Sequence, residues 1–533
     1  MEEAGTEILQ FKHVSFSYPD DEVQALQDVS FGVKKGEFCI LAGVSGSGKS
    51  TLLRHCKPVI APNGTLYGEV QFQGKNVKEL ETMEQVSKIG FVFQKPENQL
   101  VCNRVDEELA FGLENMGVEP GQIRRRIAEL VTYFGMNQWY EKEVHELSGG
   151  QKQILNLASV MAMNPELLIL DEPTAWLDPV SAEHLIDMIC RINRDMGTTI
   201  LLSEQRLESV LPAANQLVIL EKGKVICNDI PERAVLQIIR KKHLLLSSMP
   251  ATVQFFAGMG GEGECPLRIS DGRKWLEKLK KKGKVGQEIS ETEGKKELTV
   301  VKGSHLYFRY ERKGQEVLQD VSMSLKQGKV FALTGGNGSG KTTLLNILTG
   351  NLKPHYGTVK VHGKVGILPQ DVRFLFTENC VEEELMEIPE EMERVVFTYH
   401  LKQLLKRHPY DLSGGEAARL ALAKLDQRQP DIYFLDEPTK GLDCIFKKEL
   451  LKIIKQWAEN KKTVLIVSHD IEFLAEVADY FYFLFHGEIA FHGTKREFAS
   501  ENLFYTTDAA KMARGVCDGV VTVEDLVRLC KAD

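Results

Sequence analysis

An α/β architecture laid down twice in tandem is the fold class this sequence predicts, and three observations carry it. A series of short motifs runs through the first half and returns, in the same order, in the second. In the first half the apolar run Glu37–Ala42 enters a glycine-rich loop, Gly43–Ser50, and leaves it into the helical pattern Thr51–Arg54; the second half repeats the glycine loop at Gly335–Thr342. In each half four apolar residues then end in Asp-Glu: Leu167 to Leu170 before Asp171 and Glu172, and Ile432 to Leu435 before Asp436 and Glu437. A buried strand of a parallel sheet reads this way, as a continuous apolar run.

Length and composition fit that plan. At 533 residues the chain exceeds what one core supports, and 43% hydrophobic with 26% charged residues describes an ordinary globular protein. Lys and Arg number 66 against 75 acids, a net charge of −9, so no global positive field invites nucleic acid or anionic lipid. No run of eighteen apolar residues exists to span a bilayer; the nearest, Leu244 to Met259, is broken by Ser247, Ser248, Pro250 and Gln254 and reads as a buried linker or interface segment. The ten cysteines form no CxxC pair, and Met1–Gln10 carries three acids and no hydrophobic signal region, so a reduced cytosolic setting is expected.

The repeat is ordered and spaced. Phe16, Ser17 and Tyr18 are answered by Phe308, Arg309 and Tyr310; Gln94 by Gln370; Leu147-Ser148-Gly149-Gly150-Gln151 by Leu412-Ser413-Gly414-Gly415-Glu416. From Ser148 to Glu172 and from Ser413 to Glu437 is 24 residues in both halves, whereas Lys49 to Gln94 is 45 residues and Lys341 to Gln370 only 29. Trimming confined to that region falls in peripheral elements and spares the loop and the Asp-Glu strand. Expected domains are residues 1–240 and 299–533, joined by a linker over 241–298. Its surroundings, Pro231 to Lys302, hold a glycine and acid cluster at Gly258–Glu264 and a lysine run, Lys278 to Lys284, that reads as a solvated surface because no aromatics alternate with the lysines.

The chemistry of the loop follows from its residue types. In Gly43, Val44, Ser45, Gly46, Ser47, Gly48, Lys49, Ser50 and Thr51, glycines let successive N–H groups face phosphate oxygens, the helix start adds its positive end, Lys49 bridges the outer phosphates and Ser50 ligates magnesium. Gly335, Gly336, Asn337, Gly338, Ser339, Gly340, Lys341, Thr342 and Thr343 repeat those roles. At the strand ends Asp171 and Asp436 can reach magnesium through water, and Glu172 and Glu437 can polarise an attacking water. Tyr18 and Tyr310, each after a short apolar strand, are placed to stack on an adenine or to be core tyrosines.

LSGGQ and LSGGE between such a loop and an Asp-Glu strand resemble the signature of the ATP-binding-cassette (ABC) ATPases, over nearly the whole chain. The resemblance implies that each domain has a RecA-like core, an antiparallel β subdomain and a helical signature subdomain, and that ATP and Mg2+ are the cofactors. It implies a first site made of Lys49, Ser50, Gln94, Asp171 and Glu172 with Ser413 and Gly415, and a second made of Lys341, Thr342, Gln370, Asp436 and Glu437 with Ser148 and Gly150. Gln94 and Gln370 join the magnesium ligands on this reading; Asp178 and Asp443 match the loop that crosses between cassettes.

The stretch Phe93–Val101 followed by Val105–Asn115 looks like the glutamine-loop region of energy-coupling-factor and cobalt-type importer ATPases, and Leu368–Leu385 and Pro266–Leu276 resemble their fused, double-cassette members. Such ATPases imply separate partners, a transmembrane coupling subunit and a substrate-binding membrane subunit for a vitamin or metal ion, at the cytoplasmic face of the membrane. No nucleic acid is expected. The acids Asp106, Glu107, Glu108 and Glu382, Glu383, Glu384 are candidates to pair with arginines of a membrane partner. Rival readings are a soluble tandem-cassette factor acting on ribosomes and a fused-cassette sugar importer.

The halves then diverge at two positions. The family places a histidine after the Asp-Glu strand; His469 supplies it 32 residues past Glu437, but Gln205 stands 33 residues past Glu172. Glutamine donates a hydrogen bond yet cannot carry charge or relay a proton. Ile154 likewise stands where arginine is usual, while Arg419 is kept. Slower hydrolysis at the first site than at the second is the expectation.

Overall fold

A computed structural model describes residues 7–19, 23–261, 263–281, 298–312 and 314–531. The chain divides into two compact units, Met1–Ala257 with Gly261–Arg268, and Gly258–Gly260 with Ile269–Asp533.

In the first unit a six-stranded sheet runs Lys224–Asp229, Gln216–Glu221, Phe38–Ala42, Thr199–Glu204, Leu167–Asp171, Ile89–Val92. All neighbours are parallel except the first pair. The strands Phe38–Ala42, Leu167–Asp171 and Thr199–Glu204 are buried at every residue, because both faces of the sheet are covered. The second unit repeats the order as Val365–Leu368, Ile432–Asp436, Thr463–Val467, Val330–Gly335, Tyr480–Phe485, Glu488–Thr494. Ligands of such sheets bind beyond the carboxyl ends of the strands, where both glycine loops and both Asp-Glu pairs lie.

A smaller antiparallel sheet stands beside each: Leu26–Lys34, Glu7–Ser17, Thr65–Phe72 and Lys75–Asn76 in the first unit, and Leu318–Lys326, Thr299–Phe308 and Tyr356–Val361 in the second. Helices form the third part. Gly149–Met161 starts at Ser148, whose hydroxyl accepts from Gln151 N–H while Gln151 accepts from Ser148 N–H; Ser413 and Glu416 do the same for Gly414–Gln427. The signature motif is therefore, locally, a capping box.

The stretch between Pro231 and Lys302 is largely helical where it is described: most of Leu244 to Met259 is buried, in line with a buried linker, and Lys278, Lys280 and Lys281 of the lysine run are exposed. It holds the helices Pro231–Arg240, Ala251–Gly258 and Ile269–Lys281, and Val253, Phe255 and Phe256 are fully buried. The prolines do not interrupt these helices: Pro231 opens the first, Pro250 directly precedes the second, and Pro266 lies in the connection before the third. Ile269–Lys281 packs on Asp508–Ala513, with Arg273 donating to the Lys511 carbonyl at 2.5 Å and Lys280 to that of Val516. Lys282 to Lys284 lie outside the described residues. Among the described residues no helix is long and apolar enough to cross a membrane.

Candidate active site

Each glycine loop begins where a buried strand ends. Gly48 and Gly340, the residues that cap the following helices, take φ of 101° and 103°. A side chain there would be strained, and its Cβ would lie 2.6 Å from the Ala25 carbonyl oxygen or 3.0 Å from that of Val317. The lysines turn back over the loops: Lys49 Nζ donates to the carbonyls of Gly43 (2.8 Å) and Val44 (3.2 Å), Lys341 Nζ to those of Gly335 (3.0 Å) and Gly336 (2.9 Å). Ser47 Oγ and Ser339 Oγ are buried among the loop atoms with no protein partner. Orphaned hydroxyls beside a lysine and a row of loop N–H groups fit a phosphate chain.

The hydroxyls after the lysines meet the aspartates. Ser50 Oγ donates to Asp171 Oδ1 at 2.9 Å and Thr342 Oγ1 to Asp436 Oδ2 at 3.1 Å. Burial raises both aspartates above the usual carboxylate range, so each site favours a cation that would restore the charge. One hydroxyl and one carboxylate per unit, with phosphate oxygens and water completing the shell, is a donor set of the kind Mg2+ takes.

Glu172 and Glu437 adopt positive φ, 43° and 51°, a conformation in which bulky residues persist only when the surroundings hold them. Their surroundings differ. Glu172 is ringed: Lys49 Nζ lies 3.1 Å from Oε1, Gln94 Nε2 donates to Oε2 at 3.2 Å, and Gln205 Nε2 donates to both oxygens at 2.9 and 3.0 Å. Glu437 accepts from Ser468 Oγ at 3.0 Å, has His469 Nε2 3.7 Å away, and keeps Oε1 without a hydrogen bond. Burial pushes its carboxyl up to about 7. Gln370 is exposed and is not among its partners.

Strand register makes the correspondence firm. Asp171 pairs with Ser203 and Asp436 with Val467, so Glu204 stands where Ser468 does and Gln205 where His469 does. Sequence reasoning singled out Gln205 but passed over Glu204. That carboxyl is fully buried; it accepts from Thr174 Oγ1 (2.7 Å), Thr174 N–H (3.2 Å) and Gln205 N–H (3.3 Å), and burial pushes it up to about 7. An acid on an apolar strand next to Gln205 was the available signal.

Other expected residues sit as follows. Tyr18 Oη is 2.9 Å from Thr51 Oγ1 and Tyr310 Oη 3.1 Å from Thr343 Oγ1, so both rings are held beside their loops. Asp178 caps Pro179–Met196 through Val180 and Ser181 N–H, and Asp443 caps Cys444–Glu459 through Phe446 N–H. The acids expected to face a partner divide. Glu108 is buried and accepts from Val101 and Cys102 N–H, and Glu384 is buried and accepts from Thr377 and Glu378 N–H. Asp106 pairs with Arg104 and Glu382 with Lys406. Glu108 and Glu384 are structural ties, because burial demands that their oxygens find donors.

Two doubly wound sheets, each with a phosphate-binding loop and an Asp-Glu strand end, define a P-loop ATPase built twice. A family model described as ABC transporter matches residues 26–175 and 318–440. A "Putative ABC transporter ATP-binding protein" of Bacillus anthracis is 36% identical over 548 residues, 98% of each chain. The chain belongs to the ABC transporter family and is an ATP-hydrolysing protein. It is also similar to the "Putative HMP/thiamine import ATP-binding protein YkoD" of Bacillus subtilis, at 29% identity over 94% of each chain. Among solved structures, the archaeal ribosome recycling factor aABCE1, in complex with the ribosomal stalk protein aP1, matches with a TM-score of 0.62 over 91% of this chain and 90% of that one. At 21% identity this is a likeness of fold.

Proposed function

We propose that the chain is the ATP-hydrolysing, energy-coupling subunit of an importer of the energy-coupling-factor or cobalt type, peripheral to the cytoplasmic face of the membrane. It would drive uptake of a vitamin or metal ion, a thiamine-related compound among them, through separate membrane subunits. The observation that supports this most is the full-length similarity to a protein named for HMP/thiamine import. The glutamine-loop stretch Phe93–Asn115 points the same way, as does the lack of a membrane-crossing helix among the described residues.

In this reading the loop residues Gly43–Ser50 and Gly335–Thr342 bind the triphosphate, with Lys49 and Lys341 on the outer phosphates. Ser50, Asp171, Thr342 and Asp436 would hold Mg2+, which when bound supplies charge neutralisation on the transferred phosphoryl group. Glu172 and Glu437 take a proton from the attacking water at a carboxylate oxygen, and Gln205 and His469 fix those carboxylates. Ser148 and Ser413 would contact bound nucleotide. Closure driven by ATP contacts and reversed by hydrolysis would do the mechanical work.

Affinity purification of the tagged chain from detergent-solubilised membranes tests the reading. Integral membrane proteins should co-purify and raise its ATP turnover, and vesicles of that complex should take up a labelled vitamin or Co2+ only with ATP. Co-purification of ribosomes in their place would overturn it.

A further inference from the structure

Trp176 lies two residues past Thr174 in the turn after the first Asp-Glu strand, and Lys95 directly follows Gln94. The Lys95 ammonium sits over the Trp176 ring, 4.5 Å from its centroid. Gln94 Nε2, one residue away, donates to Glu172 Oε2. Counting from the Asp-Glu pairs, the second unit has Gly441 in the place of Trp176, with φ of 74° and no ring to offer. There Gln370 is exposed and Glu437 keeps an oxygen without a hydrogen bond. The stacked cation and the seated glutamine occur together in one unit and are absent together from the other.

We propose that Trp176 is a positioning residue for ATP hydrolysis in the first unit: through the Lys95 cation it holds the glutamine loop so that Gln94 stays on the catalytic Glu172. A lysine over an indole face is drawn there by the ring quadrupole, and the attraction strengthens as water is excluded. Because Gln94 and Lys95 share a peptide bond, fixing one side chain narrows where the other can point. The tie joins two loops that have no covalent connection nearer than the chain from 95 to 176. It rests on the proposed catalytic role of Glu172.

The test uses the full chain and five variants: Lys95→Met, Lys95→Arg, Trp176→Gly, the double change Lys95→Met with Trp176→Gly, and Trp176→Phe for the emission readout. Because the second unit is expected to carry most of the turnover, each variant is made in a Glu437→Gln background, which serves as the parent; there Lys95→Met and Trp176→Gly should each lower the residual kcat for ATP about 2- to 5-fold with KM within about 2-fold. The double variant should fall no further than either single one, and Lys95→Arg should stay near the parent. A second readout needs no turnover: the emission of Trp176, isolated as the difference between the parent and Trp176→Phe, should change in Lys95→Met and be kept in Lys95→Arg. A parent chain with no turnover would sink the catalytic reading itself, while the emission data would still report on the contact. Additive losses, parent-level kcat in Lys95→Met, or Trp176 emission indifferent to Lys95 would overturn the proposal.

Discussion

The two units share a sheet order and a loop geometry but are held together differently around them. In the second unit Asp426, on the signature helix, is 4% exposed and accepts from Trp457 Nε1 (2.8 Å), Tyr433 Oη (3.3 Å) and Arg394 (2.7 Å), with the Tyr433 and Trp457 rings stacked 3.9 Å apart. The matching positions of the first unit are Met161, Leu168 and Ile192, all buried. One unit thus joins helix, strand and flanking helix by a polar network and the other by plain apolar packing. The lesson is that the catalytic frame tolerates either solution, and that differences between the units at the carboxylates are not forced by differences in the core.

The largest effect should break the network. Asp426→Ala leaves Trp457 Nε1, Tyr433 Oη and part of Arg394 unpaired, and is expected to cost the second unit about 2–4 kcal/mol. Met161→Ala in the first unit should cost about 2–3 kcal/mol, as loss of a buried methionine does. Denaturant titration of each variant, with tryptophan emission as the probe, checks both. If Asp426→Ala proved neutral, the network would be ornamental.

Turnover should separate the units next. Glu437→Gln is expected to remove most ATP hydrolysis of the full chain, about 10-fold or more, and Glu172→Gln no more than about half, because His469 can relay a proton where Gln205 cannot. Phosphate release by the purified chain measures this. The reverse order would overturn the ranking of the units. A smaller change sharpens it: in a Glu437→Gln background, Gln205→His should raise the residual turnover about 3-fold, provided the imidazole meets Glu172 as His469 meets Glu437.

What the sequence disclosed and what it hid divide along contact order. The glycine loops, Lys49 and Lys341, Asp171 and Asp436 were legible because their chemistry sits in short, spaced motifs flanked by apolar runs, and the structure joins Ser50 to Asp171 across 121 positions as that chemistry requires. The inward turn of Glu108 and Glu384 was not legible, since a solvated acidic face and two buried carboxylates read alike until a backbone turn supplies donors. Asp426 was hidden for the same reason: its partners lie 7, 31 and 32 residues off. Between Pro231 and Lys302 the burial of Leu244 to Met259 was legible in its apolar run, whereas the seating of Ile269–Lys281 on Asp508–Ala513 was not, because Arg273 and its Lys511 partner lie 238 residues apart.

The smallest expected effect concerns Glu204, which the second unit replaces with Ser468. Its carboxyl stands at about 7 in the folded chain against an ordinary 4.5, mainly because burial penalises the ionised form. A raised value means that folding favours the protonated acid, so this stabilisation is full below about 4.5 and is lost as pH rises through about 7. Glu204→Gln keeps an oxygen for Thr174 and cannot ionise. The variant's unfolding midpoint minus the parent's should therefore grow between pH 5 and pH 7.5, by about 2–4 °C. Glu437, also standing at about 7, titrates in both chains and cancels in that difference. A pH-independent difference would mean that Thr174 and Gln205 N–H hold Glu204 ionised throughout, in which case the first unit carries a permanent negative charge one strand away from Glu172 and the slower turnover expected there would have an electrostatic cause as well as a missing imidazole.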